Sequence, residues 1–353
     1  MRFVISDAVI SKYVISKGPS LSKYPVFFIL IYVYEIHYRL EKSTLILRMI
    51  RNVFQVQRKE FSDEEITHLC GALYINAHEL PSNSCIQAIY YKASFIEHNC
   101  LNNASKHFDS SHVIQIRAAV PIQKGEHISI TYTDPMWGTF NRIMHLRETK
   151  FFTCSCRRCV DPSELQTYFS SLKCQSCPVQ NQGSLLPKNP LDDKTIWVCS
   201  VCDVEENPEY VEAVTRSIGE ELIKLEKSNV SSCKSFLKKH SQNLHPNHYY
   251  LMDVKLALCQ MLAYKEYNTS DKDLVLKQKL CSDLMNVINI ISPGISRLRG
   301  VVLYELQKAL FLYAKRKYNC STISLEHLQN IVEVSYKYTK QIILSFYYFF
   351  SGS

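Results

Sequence analysis

The sequence contains no apolar run long enough to cross a membrane. The nine-residue stretch "VFFILIYVY" at 26–34 falls far short of the ~20 residues that a transmembrane helix needs. No small-residue cleavage site accompanies it, so a secretory signal is not expected, and we expect a buried strand or helix instead. A hydrophobic fraction of 46% with 21% charged residues excludes a disordered chain. The length of 353 residues suffices for two or three domains.

A strong net charge is also missing. The value of +8 over 353 residues is typical of a solvated, slightly basic surface, and it is also compatible with an acidic partner or with a reader of cationic tails. Between residues 160 and 207 the basic side chains are three lysines, Lys173, Lys188 and Lys194. Because a nucleic-acid-binding face needs clustered Lys and Arg, we expect no direct contact with nucleic acid.

Cysteine, in contrast, is abundant and unevenly spaced. Cys174 with Cys177 and Cys199 with Cys202 form two C-x2-C pairs with 21 residues between them. Each pair makes a tight turn that presents two thiolates to one ion, and two pairs complete the tetrahedral set of a structural zinc site. Such spacing indicates a reducing compartment rather than a disulfide framework. We therefore expect a cytoplasmic or nuclear location.

A second group of thiols precedes these pairs. The stretch "FFTCSCRRCVDP" places Cys154, Cys156 and Cys159 within six residues. Three ligands leave a tetrahedral zinc ion one short, so a fourth must come from elsewhere in the chain. Cys100, in "EHNC", is the best candidate, and His98 in the same motif is the alternative. The sequence thus predicts two zinc ions. One is held by Cys174, Cys177, Cys199 and Cys202, and the other by Cys154, Cys156 and Cys159 with Cys100, or alternatively His98, as the fourth ligand.

Helical and strand periodicities alternate along the chain. Apolar residues recur at helical intervals over 43–57, and Ser62 with Glu65 forms a capping box that opens a helix over 64–80. From Tyr210 onward, apolar residues spaced by three and four predict paired amphipathic helices in a bundle or short solenoid.

The stretch 112–134 instead alternates apolar and polar residues, which predicts short β-strands on either side of a turn at Lys124-Gly125. Residues 160–207 lack long periodic runs and suit a small metal-stapled module. The predicted strand faces are Ile114, Ile116 and Ala118 before the turn, and Ile128, Ile130 and Tyr132 after it.

The motif order resembles a known family. The stretch "AIYYKASFIEHNCLNNASKHF…IRAAVPIQKGEHISITYTDPMWGTFNRIMHLRETKFFTCSCRRCVDPSE" is similar to the C-terminal half of a SET domain with its post-SET cysteines. In particular it resembles the SET and MYND domain subfamily of lysine methyltransferases. The following "ELQTYFSSLKCQSCPVQNQGSLLPKNPLDDKTIWVCSVC" is similar to an extension in arthropod-type members, while "LHPNHYY" and "PGISRLRGVVLYEL" resemble the family's helical domain. The resemblance covers roughly residues 60–350.

This resemblance implies an α+β fold with a partial SET β module, a post-SET zinc site, a four-cysteine zinc segment and a TPR-like helical domain. No G-x-G cofactor loop or MYND-type cysteine cluster precedes the motif cysteine. We therefore expect the MYND finger and the N-terminal part of the SET domain to be missing. The expected segments are 1–42 (unassigned), 43–150 (partial SET domain), 151–207 (post-SET and zinc-binding segment) and 208–353 (helical domain).

The resemblance also implies roles for individual residues. Tyr132, in "ITYTD", matches the active-site tyrosine, whose hydroxyl lies beside the transferred methyl group. Asn76 and His98 match polar residues of the S-adenosylmethionine pocket, and Phe152 matches the aromatic that covers the adenine ring. On the residues alone, Tyr132 is more often a strand packing residue, and Phe152 could simply be core. The family's post-SET zinc ligands match Cys100, Cys154, Cys156 and Cys159.

Three positions depart from the family pattern. Glu97 replaces the motif asparagine of the cofactor pocket, His78 replaces an aromatic, and Lys150 replaces the tyrosine of the substrate channel. A carboxylate only accepts hydrogen bonds, whereas an amide also donates, and a lysine repels the substrate lysine. Glu97 can still pair with the cofactor's ammonium but repels its carboxylate. The predicted cofactor-binding set is therefore Asn76, Glu97, His98, Tyr132 and Phe152, and the departures argue against activity.

Two functional interpretations remain open at this stage. The first is a degenerate or truncated SET-family scaffold that binds a protein partner through its helical domain. The alternative is an active S-adenosylmethionine-dependent methyltransferase that modifies a lysine-containing peptide. In both cases we expect a monomer that contacts no membrane.

Overall fold

The computed structural model describes residues 47, 51–52, 61–80, 83–109, 111–178, 182–262 and 269–350. The predicted helix over 43–57 and the apolar stretch 26–34 therefore fall largely or wholly outside the described residues. The helices are α1 (Asp63–Asn76), α2 (Thr139–Lys150), α3 (Arg157–Val160), α4 (Pro208–Lys224), α5 (Val230–His240), α6 (Tyr249–Met261), α7 (Asp271–Ile291), α8 (Arg297–Asn319) and α9 (Leu325–Phe350). The strands are β1 (His78–Leu80), β2 (Asn83–Ala88), β3 (Glu97–His98), β4 (Ala104–Phe108), β5 (Ile114–Ala118), β6 (Ser129–Ile130), β7 (Leu172–Lys173), β8 (Ser184–Pro187), β9 (Trp197–Cys199) and β10 (Glu205–Glu206).

The chain divides into two units, which are described separately. The first comprises Met1–Glu97, Lys106–Arg117 and Phe350–Ser353, and the second comprises His98–Ser105 and Ala118–Phe349. Short strands and helices are mixed before residue 207, and helices alone follow it in the described residues. The mixed α and β content with a C-terminal helical region agrees with the expected fold class. The domain boundaries at 42, 150 and 207 remain predictions.

In the first unit, the predicted capping box is confirmed. The Ser62 hydroxyl accepts from the Glu65 N–H (3.1 Å), and the Ser62 N–H donates to the Glu65 carboxylate (2.7 Å). The helix that follows is shorter than predicted, because α1 ends at Asn76 and residues 78–80 form β1. Pairing of β1 with the antiparallel strand β2 satisfies backbone groups that a longer helix would otherwise have used.

The predicted strands around residues 112–134 are partly confirmed. Ile114 and Ile116 of β5 are buried as predicted, at 1% and 3% exposure. The second predicted face is wrong, because β6 spans only Ser129–Ile130 and Ile128 is exposed. The side chain of Asn103 explains the short strand: it accepts from the Ser129 N–H (2.9 Å) and donates to the His127 carbonyl (2.7 Å). Side-chain hydrogen bonds thus take the place of further strand pairing where β6 begins, while β6 itself pairs with β3.

The cysteine-rich segment is a small antiparallel sheet in the strand order β10-β9-β8-β7. Leu185 of β8 pairs with Leu172 on one side and with Cys199 on the other. A β-bridge between Leu172 and Leu244 joins the sheet to the helical region of the same unit. This agrees with the small module expected for residues 160–207.

The predicted helices after Tyr210 are confirmed, and their apolar stripes form the core. Leu284 and Ile288 of α7 and Leu303 of α8 are among its buried members. Gly294, between these helices, has a φ of +80°, and a Cβ there would lie 1.9 Å from the Ala119 carbonyl oxygen. Only glycine fits this turn. Within the described residues, no helix has the length and apolar character required to cross a bilayer.

Candidate functional site

Four predicted cysteine ligands meet at one point, which we call the first cysteine cluster: Cys100, Cys154, Cys156 and Cys159. Their sulfur atoms all lie within 4.8 Å of one another. The Cys100 sulfur is 3.5 Å from that of Cys159 and 4.0 Å from that of Cys154. A tetrahedral zinc site with Zn–S bonds of about 2.3 Å has S–S edges of about 3.8 Å. The cluster therefore has the dimensions of a four-thiolate zinc site.

Local backbone geometry brings these sulfurs together. Phe151, just after α2, adopts a left-handed conformation (φ 60°) that turns the chain towards Cys154. Cys156 is the residue before α3, and the Cys159 N–H donates to its carbonyl (2.8 Å), so one short helical turn places both thiols side by side. Cys100 follows Asn99, whose N–H donates to Ile130 of β6 (3.1 Å). The fourth sulfur thus comes from the β module.

The second cysteine cluster consists of Cys174, Cys177, Cys199 and Cys202. Its sulfurs also lie within 4.8 Å of one another, with Cys174 to Cys202 at 3.7 Å and Cys177 to Cys199 at 3.5 Å. A Cβ at Gly183 would lie 2.4 Å from the Cys199 sulfur, so this position requires glycine. The distances again match the edges of a four-thiolate zinc tetrahedron.

The charge balance of both clusters favours a bound cation. Hydrogen bonds from Cys100, Cys154 and Cys159 lower the pKa of Cys156, whereas the hydrogen bond with Cys154 raises the pKa of Cys100. One thiolate therefore forms at the expense of its neighbours. In the second cluster burial opposes ionisation of Cys199, but backbone N–H groups lower its pKa to about 7. Four thiolates at this spacing need a divalent ion between them, and the donor set fits zinc.

A buried ion network lies beside the first cysteine cluster. The Glu164 carboxylate contacts Arg142 Nη1 (3.0 Å) and Arg158 Nη2 (3.0 Å), and both guanidinium groups are fully buried. Burial raises the pKa of Glu164, but Arg142 and Arg158 outweigh it and lower this pKa to about 2. Sequence reasoning missed this network. The available signal was Arg158 and Glu164 inside "CSCRRCVDPSE", which was assigned to metal binding alone; Arg142 lies outside this stretch, in "FNRIMHLRETK".

Three residues of the predicted cofactor and catalytic set also lie together. The ring centroid of His98 is 5.1 Å from that of Tyr132 and 5.9 Å from that of Phe152. His98 Nδ1 accepts from the Tyr132 N–H (3.0 Å), so the neutral ring carries its proton on Nε2, which lies 3.3 Å from the Cys100 sulfur. Burial lowers the pKa of His98 to about 4. The ring thus donates to a sulfur of the first cysteine cluster, which is itself complete with four cysteines.

The remaining predicted pocket residues belong to the first unit. Asn76 lies at the end of α1, where its side-chain amide donates to the Ala72 carbonyl (3.1 Å). Glu97, in β3, is exposed. His78 Nδ1 lies 3.2 Å from Lys106 Nζ, and its ring centroid is 6.0 Å from that of Tyr90.

Comparison with protein families matches residues 9–133 to the SET domain. The chain is similar to "SET domain-containing protein SmydA-8, isoform A" of Drosophila melanogaster, at 24% identity over 257 residues, covering 69% of this chain and 54% of that protein. It is also similar to "N-lysine methyltransferase SMYD2" of Gallus gallus, at 28% identity over 97 residues, covering 28% of this chain and 18% of that protein. Residues 9–133 thus match the SET domain, and the chain is similar to SMYD-type proteins. It spans about half the length of SmydA-8.

The SET-domain match bears on the expected segments. It begins at residue 9, and therefore includes residues 9–42, which sequence reasoning left unassigned and which lie outside the described residues. It ends at 133, just after Tyr132. The predicted active-site tyrosine thus lies at the C-terminal end of the matched SET domain. Cys100 lies within the match, and the other seven cysteines of the two clusters lie beyond it.

Lys150 departs from the pattern that the resemblance implies. Lys150 is the last residue of α2, and its ammonium lies 5.8 Å from the ring centroid of Tyr132. Burial lowers the pKa of Lys150. The side chain lies where the resemblance places a tyrosine, so a cation stands over the predicted active-site ring.

Proposed function

We propose that this chain is a relative of the protein-lysine methyltransferases that has lost methyl transfer and acts as a zinc-stabilised, protein-binding scaffold. The observation that carries this proposal is the ammonium of Lys150 over the ring of Tyr132. A substrate lysine would have to bring its own amine to that place. Like charges within a few ångströms of each other disfavour this approach.

The predicted cofactor residues support the same conclusion. The methyl donor carries a carboxylate and an ammonium, and an amide can bind both because it donates and accepts. Glu97 offers an acceptor only, and its charge repels the donor's carboxylate. The side chain therefore does not fit the role of the family's asparagine, and we assign no catalytic step to S-adenosylmethionine in this chain.

We propose that the structural parts of the family, in contrast, are retained. We propose two zinc ions, one in each cysteine cluster, because both sulfur sets have the dimensions of a zinc tetrahedron. We further propose that α4–α9 form the TPR-like domain and bind a protein partner on the surface of their paired helices. We also propose a cytoplasmic or nuclear location, because cysteine thiols that bind a metal persist in a reducing compartment. We propose that the protein is a monomer.

An active methyltransferase is the second candidate, favoured by the packing of His98, Tyr132 and Phe152 around one another. Calorimetric titration of S-adenosylmethionine separates the two. We expect no binding to the wild-type chain, to Glu97→Asn or to the matched Glu79→Asn variant, because the sequence lacks the G-x-G cofactor loop as well as the motif asparagine. Micromolar affinity of the wild-type chain would refute the scaffold proposal.

A further inference from the structure

We propose that Arg142 balances the charge of the first cysteine cluster and thereby slows the release of zinc from it. Its side chain is fully buried, and its Nη2 donates to the sulfur of Cys159 at 3.6 Å. This inference rests on the zinc assignment proposed above, but not on the presence or absence of methyl transfer.

The guanidinium is held in this position by fixed acceptors. Arg142 Nη1 donates to the Trp137 carbonyl (2.6 Å) and to the Glu164 carboxylate (3.0 Å). Nη2 donates to the Thr139 hydroxyl (2.9 Å) as well as to the Cys159 sulfur. These contacts use both terminal nitrogens of the planar fork. The positive charge therefore cannot swing away from the sulfur as it would in a surface arginine.

The charges of the buried network favour the metal-loaded state. Two guanidinium groups, Arg142 and Arg158, face one carboxylate, Glu164, which leaves one positive charge in excess. Zinc with four thiolates would carry a net charge of −2, which this excess positive charge partly balances. An uncompensated buried charge is costly. The fixed guanidinium of Arg142, 3.6 Å from the Cys159 sulfur, therefore favours the zinc-bound thiolates beside it.

Arg142 and Arg158 make different contacts and therefore have different roles. Arg158 lies within the cysteine motif, yet its guanidinium donates to the Pro135 carbonyl (2.9 Å) and to Glu164 (3.1 Å) and lies over the Phe169 ring. Arg142, from α2, is the one whose donor reaches a sulfur. We therefore assign the positioning role to Arg142 and the anchoring of the carboxylate to Arg158.

The second cysteine cluster provides an internal control on the same chain. There the Cys199 sulfur accepts from the backbone N–H of Val201 (3.4 Å), and Cys202 is exposed to solvent. A change at Arg142 that acts through charge should leave this cluster unaffected. A change that merely loosens the fold should accelerate zinc loss from both.

The test compares zinc transfer to a chromogenic chelator from the wild-type chain, Arg142→Lys and Arg142→Gln, each also in a Cys202→Ser background that removes the second site. We expect release from the first site to be about 10–100-fold faster in Arg142→Gln. Arg142→Lys, which keeps the charge but loses the fork, should fall between that variant and the wild type. The second site should release zinc at an unchanged rate in both.

Cobalt substitution adds a readout that a purely structural role would not move. Loss of a cation beside a sulfur makes the thiolate more electron-rich, so its charge-transfer band to Co²⁺ should move to longer wavelength in Arg142→Gln. If that variant fails to fold, Arg142→Lys against the wild type decides the question in the same way.

Unchanged release from the first site, equal acceleration at both sites, or an unmoved cobalt band would each overturn the inference. Absence of zinc from the wild-type chain would overturn the zinc assignment together with it. Zinc present in the wild type but released at the same rate by every variant would overturn the role of Arg142 alone.

Discussion

Replacing Glu164 with alanine should destabilise the fold strongly, because it leaves two buried arginines without their carboxylate. Glu164 is 2% exposed and contacts Arg142 and Arg158 at 3.0 Å each. A pKa lowered from 4.5 to about 2 corresponds to ~3 kcal/mol of stabilisation. Removing one member of a buried ion network costs ~3–5 kcal/mol. We therefore expect the free energy of unfolding to fall by ~3–5 kcal/mol.

Urea denaturation of the zinc-loaded protein, followed by circular dichroism, measures this effect. Glu205→Ala is the matched control, because Glu205 forms an exposed ion pair with Lys188 that should be worth less than ~1 kcal/mol. Since the folded-state pKa of Glu164 lies below the ordinary value of 4.5, its contribution is fully present above pH 4.5 and is lost as the pH falls towards 2. If Glu164→Ala costs no more than Glu205→Ala, the ion network does not hold this region together.

Two further substitutions test the metal sites and the turn between α7 and α8. Cys100→Ser should lower the zinc content, measured by plasma mass spectrometry, from two ions per chain to one. The control Cys233→Ser changes an isolated buried thiol and should leave two ions. Two ions in both variants would contradict the assignment of a zinc ion to the first cysteine cluster. Gly294→Ala should reduce the free energy of unfolding by ~2 kcal/mol or more, because the new Cβ would lie 1.9 Å from the Ala119 oxygen in a backbone conformation that strains other residues. The matched change Gly71→Ala meets no atom within 4 Å and should stabilise α1 by ~1 kcal/mol; equal effects would refute the close approach.

The features that the sequence predicted well carry their signal in fixed spacing. Ser62 and Glu65 lie three residues apart, and a capping box needs nothing beyond that distance. The C-x2-C pairs and the C-x-C-x2-C group likewise predict, from their local turns, that their sulfur atoms lie close enough to share one ion. Even Cys100, 59 residues from Cys159, could be proposed as the missing fourth sulfur, because a tetrahedral ion with three ligands requires one more.

The features that were missed depend on contacts between distant residues. β6 begins only at Ser129, where the Asn103 side chain, 26 residues away, bonds to the Ser129 N–H, and alternation of apolar residues cannot reveal such a bond. The helix predicted over 64–80 ends at Asn76 because β2 competes for the following backbone. Arg142 and Glu164 are 22 residues apart, and no periodicity links them. Side-chain partners of this kind become visible only in the folded chain.

The central claim is that this chain retains a zinc-stabilised fold but has lost methyltransferase activity. The most direct test is incorporation of labelled methyl groups from S-adenosylmethionine into an array of lysine-containing peptides by the zinc-loaded protein, beside Tyr132→Phe as the background. The account predicts the same low signal from both proteins. Methyl incorporation that the wild-type chain supports and Tyr132→Phe abolishes would contradict it.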